Sequence, residues 1–154
     1  MLHGKNERQA GIASVVAIVS ALSLSATTEA DAQNNLSLQR ADVSAVWRGW
    51  HQCGRAKVGT SATIRMNEAG RVTGTRDFYP TPSDAQRASG SFRVSGAYQP
   101  ATGAITLMAG DWITQPPGYG KCSFVGNVDS KGTIMTGTSP DCVPGCAQFE
   151  LRRQ

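Results

Sequence analysis

Glycine-bearing turns punctuate this chain, and each is followed by a short segment in which apolar and small polar residues alternate. Residues 68–75 resemble residues 130–138, and residues 100–107 are a looser copy. In each copy the turn ends in glycine, which supplies the positive φ that a tight hairpin needs. A strand follows, because alternation with period two puts one set of side chains on each face. Repeated hairpins of this kind predict an antiparallel meander.

The number of alternating segments indicates how the meander ends. Counting from Trp47 to the C-terminus gives about eight strands, and Phe92, Val94 and Tyr98 share one face of the clearest strand. Eight antiparallel strands can close into a small up-and-down barrel, and closure removes the exposed sheet edges. We therefore predict an all-β fold, an eight-stranded antiparallel meander that closes into a small barrel. An open sandwich is the alternative.

Four glycines fall inside the predicted strands. The four are Gly74, Gly96, Gly126 and Gly137. Glycine within a strand is typical of bends and of close backbone approach, both of which a barrel requires.

Trp47 opens the first predicted strand. It is expected to fill one end of the barrel, because a small β-domain needs large core residues.

The N-terminus has the layout of a secretory signal peptide. A basic start precedes an uncharged apolar run over residues 10–24, and the small residues of Ala30-Asp31-Ala32 form a cleavage pattern. The run has about 15 residues, whereas a membrane-spanning helix needs about 20. A retained membrane anchor is the alternative to cleavage.

These features divide the chain into three parts. We predict a signal peptide over residues 1–32, a flexible arm over residues 33–45 and one barrel domain over residues 46–154. The domain would then be periplasmic or secreted, with no stable membrane insertion after cleavage.

All four cysteines follow the predicted cleavage site, and an even number in a small exported domain indicates two disulfides. The first and last strands of a closed barrel are neighbours, which favours Cys53–Cys146. Cys122 and Cys142 flank one hairpin at similar distances from its turn, which favours Cys122–Cys142. The alternative set is Cys142–Cys146 with Cys53–Cys122. A zinc site formed by His51, Cys53, Cys142 and Cys146 is disfavoured, because exported thiols are normally oxidised, and we predict no metal.

The Trp47-x-Gly49 start, the repeated Gly-x-apolar-x-Gly-Thr units and the Phe149-x-Leu151 close resemble the avidin-type and lipocalin-like barrels. The resemblance covers roughly residues 47–152 and implies a small up-and-down β-barrel. The avidin-type biotin site is not carried over, because its polar ring cannot be placed on this sequence residue by residue and Trp112 is the only tryptophan after Trp50. The same order of motifs also resembles an exported bacterial β-module with no assigned chemistry.

Catalytic groups are sparse. His51 is the only histidine after the predicted cleavage site, and no nucleophile elbow, phosphate loop or dinucleotide fingerprint is present. Asp77 and Asp111, each beside aromatic residues, would be the carboxylates of an enzyme. We predict instead a protein without enzymatic activity, catalytic residues or a cofactor.

Aromatic residues near strand ends and turns favour a binding function. Rings at a barrel mouth can stack on sugars or small apolar ligands, and loops on a rigid scaffold often carry binding sites. The predicted ligand-binding residues are Trp50, Tyr79, Asp111, Trp112 and Tyr119. The alternative is a protein-interaction or inhibitor domain that acts through the loop over residues 142–146.

The basic side chains do not form a run. Arg48, Arg65, Arg76 and Arg93 are among those scattered along the chain, which has a net charge of +4. Scattered charges favour ordinary solubility over a clustered anion-binding surface. The expected partner is therefore a small ligand, a glycan or an envelope protein, and not a nucleic acid.

Overall fold

The computed structural model of the protein describes residues 42–142 and 147–154. Within these ranges the chain forms eight antiparallel strands, each paired with the next and the last with the first. The strands are β1 (Ala45–Cys53), β2 (Ala56–Met66), β3 (Arg71–Tyr79), β4 (Gly90–Gln99), β5 (Ala104–Thr114), β6 (Phe124–Val128), β7 (Ile134–Thr138) and β8 (Gln148–Arg153). The predicted all-β meander and its closure into a barrel are confirmed.

The predicted signal peptide and most of the predicted arm lie outside the described residues. No helix in the described part of the chain has the length and hydropathy needed to cross a membrane. Residues 42–45, at the end of the predicted arm, are described, and Val43 is buried in the core.

The barrel closes where β1 pairs with β8, from Trp47 opposite Arg153 to His51 opposite Phe149. Trp47 is fully buried beside this seam, as expected for a residue that fills one end. Its indole Nε1 donates a hydrogen bond to the carbonyl of Val43 at 3.0 Å. Arg153 donates to the carbonyls of Asp42 and Ser44 at 3.0 and 3.1 Å. Trp47, Arg153 and the segment before β1 therefore fill this end of the barrel.

Glycine allows the strands to turn and to approach one another. Gly70, Gly103 and Gly132, which end the three predicted turns, have φ values of 74°, 77° and 69°. Inside the strands, a Cβ placed on Gly74 would lie 2.0 Å from the carbonyl oxygen of Thr63. Gly96, Gly126 and Gly137 face neighbouring carbonyls as closely. The predicted close backbone approaches are confirmed.

The pairing of β4 with β5 is irregular near one end of the barrel. From Ala109 to Trp112, β5 advances three residues while β4 moves only two, from Val94 to Phe92. The extra residue is a β-bulge, which changes the direction in which later side chains point. Trp112 therefore packs against Phe92, with ring centroids 5.4 Å apart, whereas Ile113 is 53% exposed.

The Cys122–Cys142 disulfide joins the β5–β6 loop to the β7–β8 connection, with a Cα–Cα distance of 4.8 Å. This predicted pair is confirmed, and the alternative set, which used Cys142 with Cys146, is excluded. No cysteine of the described part is free. The predicted Cys53–Cys146 pair includes Cys146, which lies outside the described residues, and it stays a prediction.

Replacing Gly74 by alanine is expected to lower the free energy of unfolding by about 1–3 kcal/mol, because the new methyl group would collide with the backbone of β2. Gly120→Ala is the matched control, since a Cβ at Gly120 meets no atom within 4 Å. The control should change the free energy of unfolding by less than about 0.5 kcal/mol. Denaturant titrations measure both values, and wild-type stability of Gly74→Ala would contradict the close approach.

Candidate functional site

The end of the barrel opposite Trp47 contains a cavity of about 400 Å³. The β5–β6 loop and the connection after β7 contribute to its rim, and side chains from the ends of β1–β4 form its walls. Its aromatic and cationic lining residues are Phe78, Phe92, Tyr119, Arg76, Arg87 and Lys121. The cavity is within the size range of pockets that hold small molecules.

Arg76 lies in the interior of the barrel and is only 2% exposed. It points inward because it occupies the same face of β3 as Val72 and Phe78, which are both buried. It pairs across the sheet with Ala62 on one side and Phe92 on the other. The expectation that Arg76 belongs to a scattered, solvated set of basic residues is therefore wrong.

The guanidinium of Arg76 is held from several sides. Its Nε donates to Thr60 Oγ1 at 3.3 Å, and its Nη1 donates to the carbonyl of Cys122 at 2.7 Å. Its Nη2 donates to His51 Nδ1 at 3.2 Å. The guanidinium carbon lies 3.5 Å from the ring centroid of Phe124, a cation–π contact. Burial lowers the pKa of Arg76 to about 9, although the charge of Asp141 opposes this shift, so the side chain stays cationic at neutral pH.

His51 is the neutral partner of this cation. Arginine can only donate hydrogen bonds, so His51 Nδ1 must be the unprotonated nitrogen and Nε2 carries the hydrogen. Burial lowers the pKa of His51 to about 3, with the charges of Arg76 and Arg87 acting in the same direction. His51 therefore adds no charge to the cavity at physiological pH.

An aromatic wall stands beside the cation. The rings of Phe78 and Tyr119 are stacked, with centroids 5.6 Å apart and an interplanar angle of 12°. Trp112 meets Phe78 edge to face at 6.2 Å. The hydroxyl of Tyr119 accepts a hydrogen bond from the backbone amide of Ala88, which ties the β5–β6 loop to the β3–β4 loop. The wall can contact an apolar or ring-shaped group, because aromatic faces favour such neighbours.

The remaining charged groups at the rim are already engaged. Both carboxylate oxygens of Asp141 accept hydrogen bonds from Ser123, at 2.7 Å from the amide and 2.6 Å from the hydroxyl. Burial alone would raise the pKa of Asp141, but these hydrogen bonds and Arg76 hold it below its ordinary value. Arg87 forms an ion pair with Asp84, and Lys121 donates to the carbonyl of Gly110.

The five predicted ligand-binding residues separate into two groups. Tyr119 lines the cavity, and Trp112 packs on the aromatic wall. Trp50 and Tyr79 lie on the outer surface, on either side of Gly59 in adjacent strands. Asp111 is exposed in β5, on another part of the barrel. The structure thus places Tyr119 in the lining of the cavity and Trp112 against two lining residues, Phe78 and Phe92. A binding role for each of the five stays a prediction.

Sequence reasoning missed Arg76 and the role of His51 beside it. A signal for Arg76 was present, because Val72, Arg76 and Phe78 have the same parity in one strand. Its hydrogen bonds come from β1, β2 and the β5–β6 loop, which no local pattern connects.

The described residues form no metal-binding cluster beside the cavity. In the part of the chain that the structure describes, no group of three or more His, Cys, Asp or Glu side chains is placed to hold a metal ion. Cys142, one of the ligands of the disfavoured zinc alternative, is bonded to Cys122.

No protein-family model matches this chain, and no curated protein matches its sequence. The closed eight-stranded antiparallel barrel is consistent with the avidin-type and lipocalin-like architecture that the motifs resemble. Membership of either family stays a prediction.

Lowering the pH from 7 to 5 is expected to reduce the free energy of unfolding by about 2 kcal/mol through His51. In the folded protein its pKa is about 3, whereas in the unfolded chain it returns to its ordinary value of 6.5. Between these values the unfolded state binds a proton that the folded state does not, so stability falls as the pH falls. Denaturant titrations at several pH values measure the slope.

The control variant is His51→Gln, whose amide oxygen can still accept the hydrogen bond from Arg76 but does not titrate. Its stability should be nearly constant between pH 7 and pH 5. Asp42, Asp129 and Asp141 do not interfere, because their pKa values lie below the ordinary value of 3.8. Equal slopes for the wild type and the variant would contradict the assignment to His51.

Proposed function

We propose that this protein is an exported, non-enzymatic binding module that takes a small organic ligand into the cavity at the open end of its barrel. The observation that carries this proposal is the cavity itself, about 400 Å³ in volume and lined by aromatic and polar side chains. Concave sites with an apolar wall and a few convergent polar groups are where proteins bind small molecules.

The construction of the two ends supports a ligand site at one of them. At the closed end, Trp47 and Arg153 occupy the interior and bond to the segment before β1. At the open end, the Cys122–Cys142 disulfide and the Tyr119–Ala88 hydrogen bond fix the loops around the cavity that the described residues line. A rim held in this way is preorganised, which reduces the entropy lost on binding.

Binding is favoured over catalysis because the polar groups of the cavity do not form an acid–base pair. His51 is occupied by Arg76 through Nδ1, and both oxygens of Asp141 are occupied by Ser123. A general base works best when its pKa lies near the operating pH. Burial lowers the pKa of His51 to about 3, and the hydrogen bonds from Ser123 hold the pKa of Asp141 below its ordinary value, so neither group is a strong base at neutral pH.

Export to the periplasm or to the medium is part of the same proposal. The Cys122–Cys142 disulfide is typical of oxidising compartments. The predicted signal peptide over residues 1–32 indicates the route. The avidin-type or lipocalin-like kinship would give the barrel a ligand-holding role, as those folds have.

A protein-interaction or inhibitor domain stays the alternative. The loop expected to act in that way includes residues 143–146, which lie outside the described residues. A pull-down from envelope extract separates the two functions, because one stoichiometric protein partner would favour the alternative.

A thermal-shift screen tests the proposed function, because a ligand that binds only the folded protein raises its melting temperature. The panel contains fatty acids, cell-wall fragments, oligosaccharides and vitamins. Each compound that raises the melting temperature is then titrated while tryptophan fluorescence is recorded. Trp112 packs against Phe78 and Phe92, which line the cavity, so its emission should change on binding.

Matched variants locate the bound compound. The fluorescence change should disappear in Trp112→Phe and persist in Trp50→Phe, because Trp50 lies on the outer surface. Trp112→Ala should weaken binding by about 2- to 10-fold, because Phe78 and Phe92 lose the ring that packs against them, with an unchanged far-UV circular dichroism spectrum. Loss of the signal only in Trp50→Phe would place the ligand outside the cavity and overturn the proposal.

A further inference from the structure

Arg76 is a fully buried cation with no close anionic partner among the described residues. None of the described carboxylates lies within ion-pair distance of its guanidinium, since the ion pairs of the described residues are Arg87–Asp84 and Arg152–Glu150. Asp141 acts on Arg76 only at longer range, and its two oxygens are bound to Ser123. Burying a charge costs several kcal/mol unless it is paired, so this position demands an explanation.

The guanidinium also has hydrogen-bonding capacity to spare. Arginine has five N–H donors, and the described hydrogen bonds of Arg76 use one on Nε, one on Nη1 and one on Nη2. Each terminal nitrogen therefore keeps one N–H that no described residue accepts. Two N–H groups are what a carboxylate or phosphate accepts in a bidentate pair.

The surroundings of Arg76 keep the cavity electropositive. His51 contacts the guanidinium but is neutral, because burial lowers its pKa to about 3. Lys121 and Arg87 line the same cavity as two further cations, Arg87 being paired with Asp84, and Asp141 is the one carboxylate of the described lining. The charged residues of the described lining carry a net positive charge, which would attract an anion that enters the cavity.

Aromatic side chains line the cavity beside Arg76, and they would contact the part of a ligand that does not bind the cation. The stacked Phe78–Tyr119 pair and the ring of Phe92 line the cavity from β3, β4 and the β5–β6 loop. These faces suit an apolar or aromatic body more than a strongly hydrated one.

We infer that the ligand is an organic anion with an apolar body, and that the guanidinium of Arg76 binds its carboxylate or phosphate headgroup. This inference rests on the proposed function, because it names the class of ligand for the same cavity. It goes beyond that function by assigning a headgroup chemistry and the residue that recognises it.

Isothermal titration calorimetry with three matched probes tests the inference on the wild-type protein. The probes are naphthalene-2-carboxylate, 2-naphthyl phosphate and the uncharged naphthalene-2-carboxamide, which share one apolar ring system. At least one of the two anions should bind about 10- to 100-fold more tightly than the amide, because its hydrogen bonds involve two charged groups. Preference for the carboxylate, for the phosphate or for both supports the inference and identifies the headgroup.

Two variants assign the preference to one cation. Arg76→Gln should reduce the affinity for the anions to that for the amide, whereas Lys121→Gln should retain most of the preference. If Arg76→Gln does not fold, Arg76→Lys takes its place and should weaken anion binding, because a point charge replaces the planar fork. Unchanged anion affinity in the folded Arg76 variant would overturn the inference.

The remaining outcomes separate the two proposals. Equal wild-type affinity for the amide and the anions would overturn the anion inference and leave the proposed function standing. No binding of the three probes, together with no thermal shift across the ligand panel, would overturn the proposed function and the inference with it.

Discussion

The hydrogen-bonded pairing of β1 with β8 is the contact on which the rest of the structure depends. Without it, the first and last strands would each present an unpaired edge, which is prone to aggregation. With it, the inward face of every strand becomes part of one enclosed interior. The close backbone approaches at glycines such as Gly74 and Gly126 belong to the same constraint, because eight short strands must coil tightly to close.

The closed barrel has two ends, and the two ends differ in structure. One end is filled by Trp47. The indole of Trp47 and the side chain of Arg153 both donate hydrogen bonds to the segment before β1, which holds that segment over this end. The other end has longer loops, joined by a disulfide and by the hydroxyl of Tyr119, with a cavity between them. A rigid wall with one open end is a physical basis for selective binding, since little conformational entropy is lost when a ligand enters.

The interior at the open end departs from a simple apolar core. Arg76 remains charged there because Thr60, His51, the carbonyl of Cys122 and the face of Phe124 together replace part of the hydration it loses. The same environment keeps His51 neutral, so the pH dependence of stability and the electrostatics of the cavity have one origin. Burial of such a charged group lowers the free energy of unfolding, and strongly perturbed groups of this kind cluster at functional sites.

The sequence by itself determined the strand number, the glycine turns and the buried position of Trp47, and it favoured the Cys122–Cys142 pair over the alternative set, which the structure then excluded. These follow from local patterns, namely alternation with period two, glycine at tight turns and cysteines flanking one hairpin. Alternation also carried a signal for Arg76, which shares the inward parity of Phe78.

Only the tertiary structure decided which side chains meet at the candidate site. The β-bulge in β5 turns Trp112 toward Phe92 and leaves Ile113 exposed, a reversal that strict alternation cannot anticipate. The partners of Arg76 come from β1, β2 and a distant loop, and closure of the barrel is what brings them together.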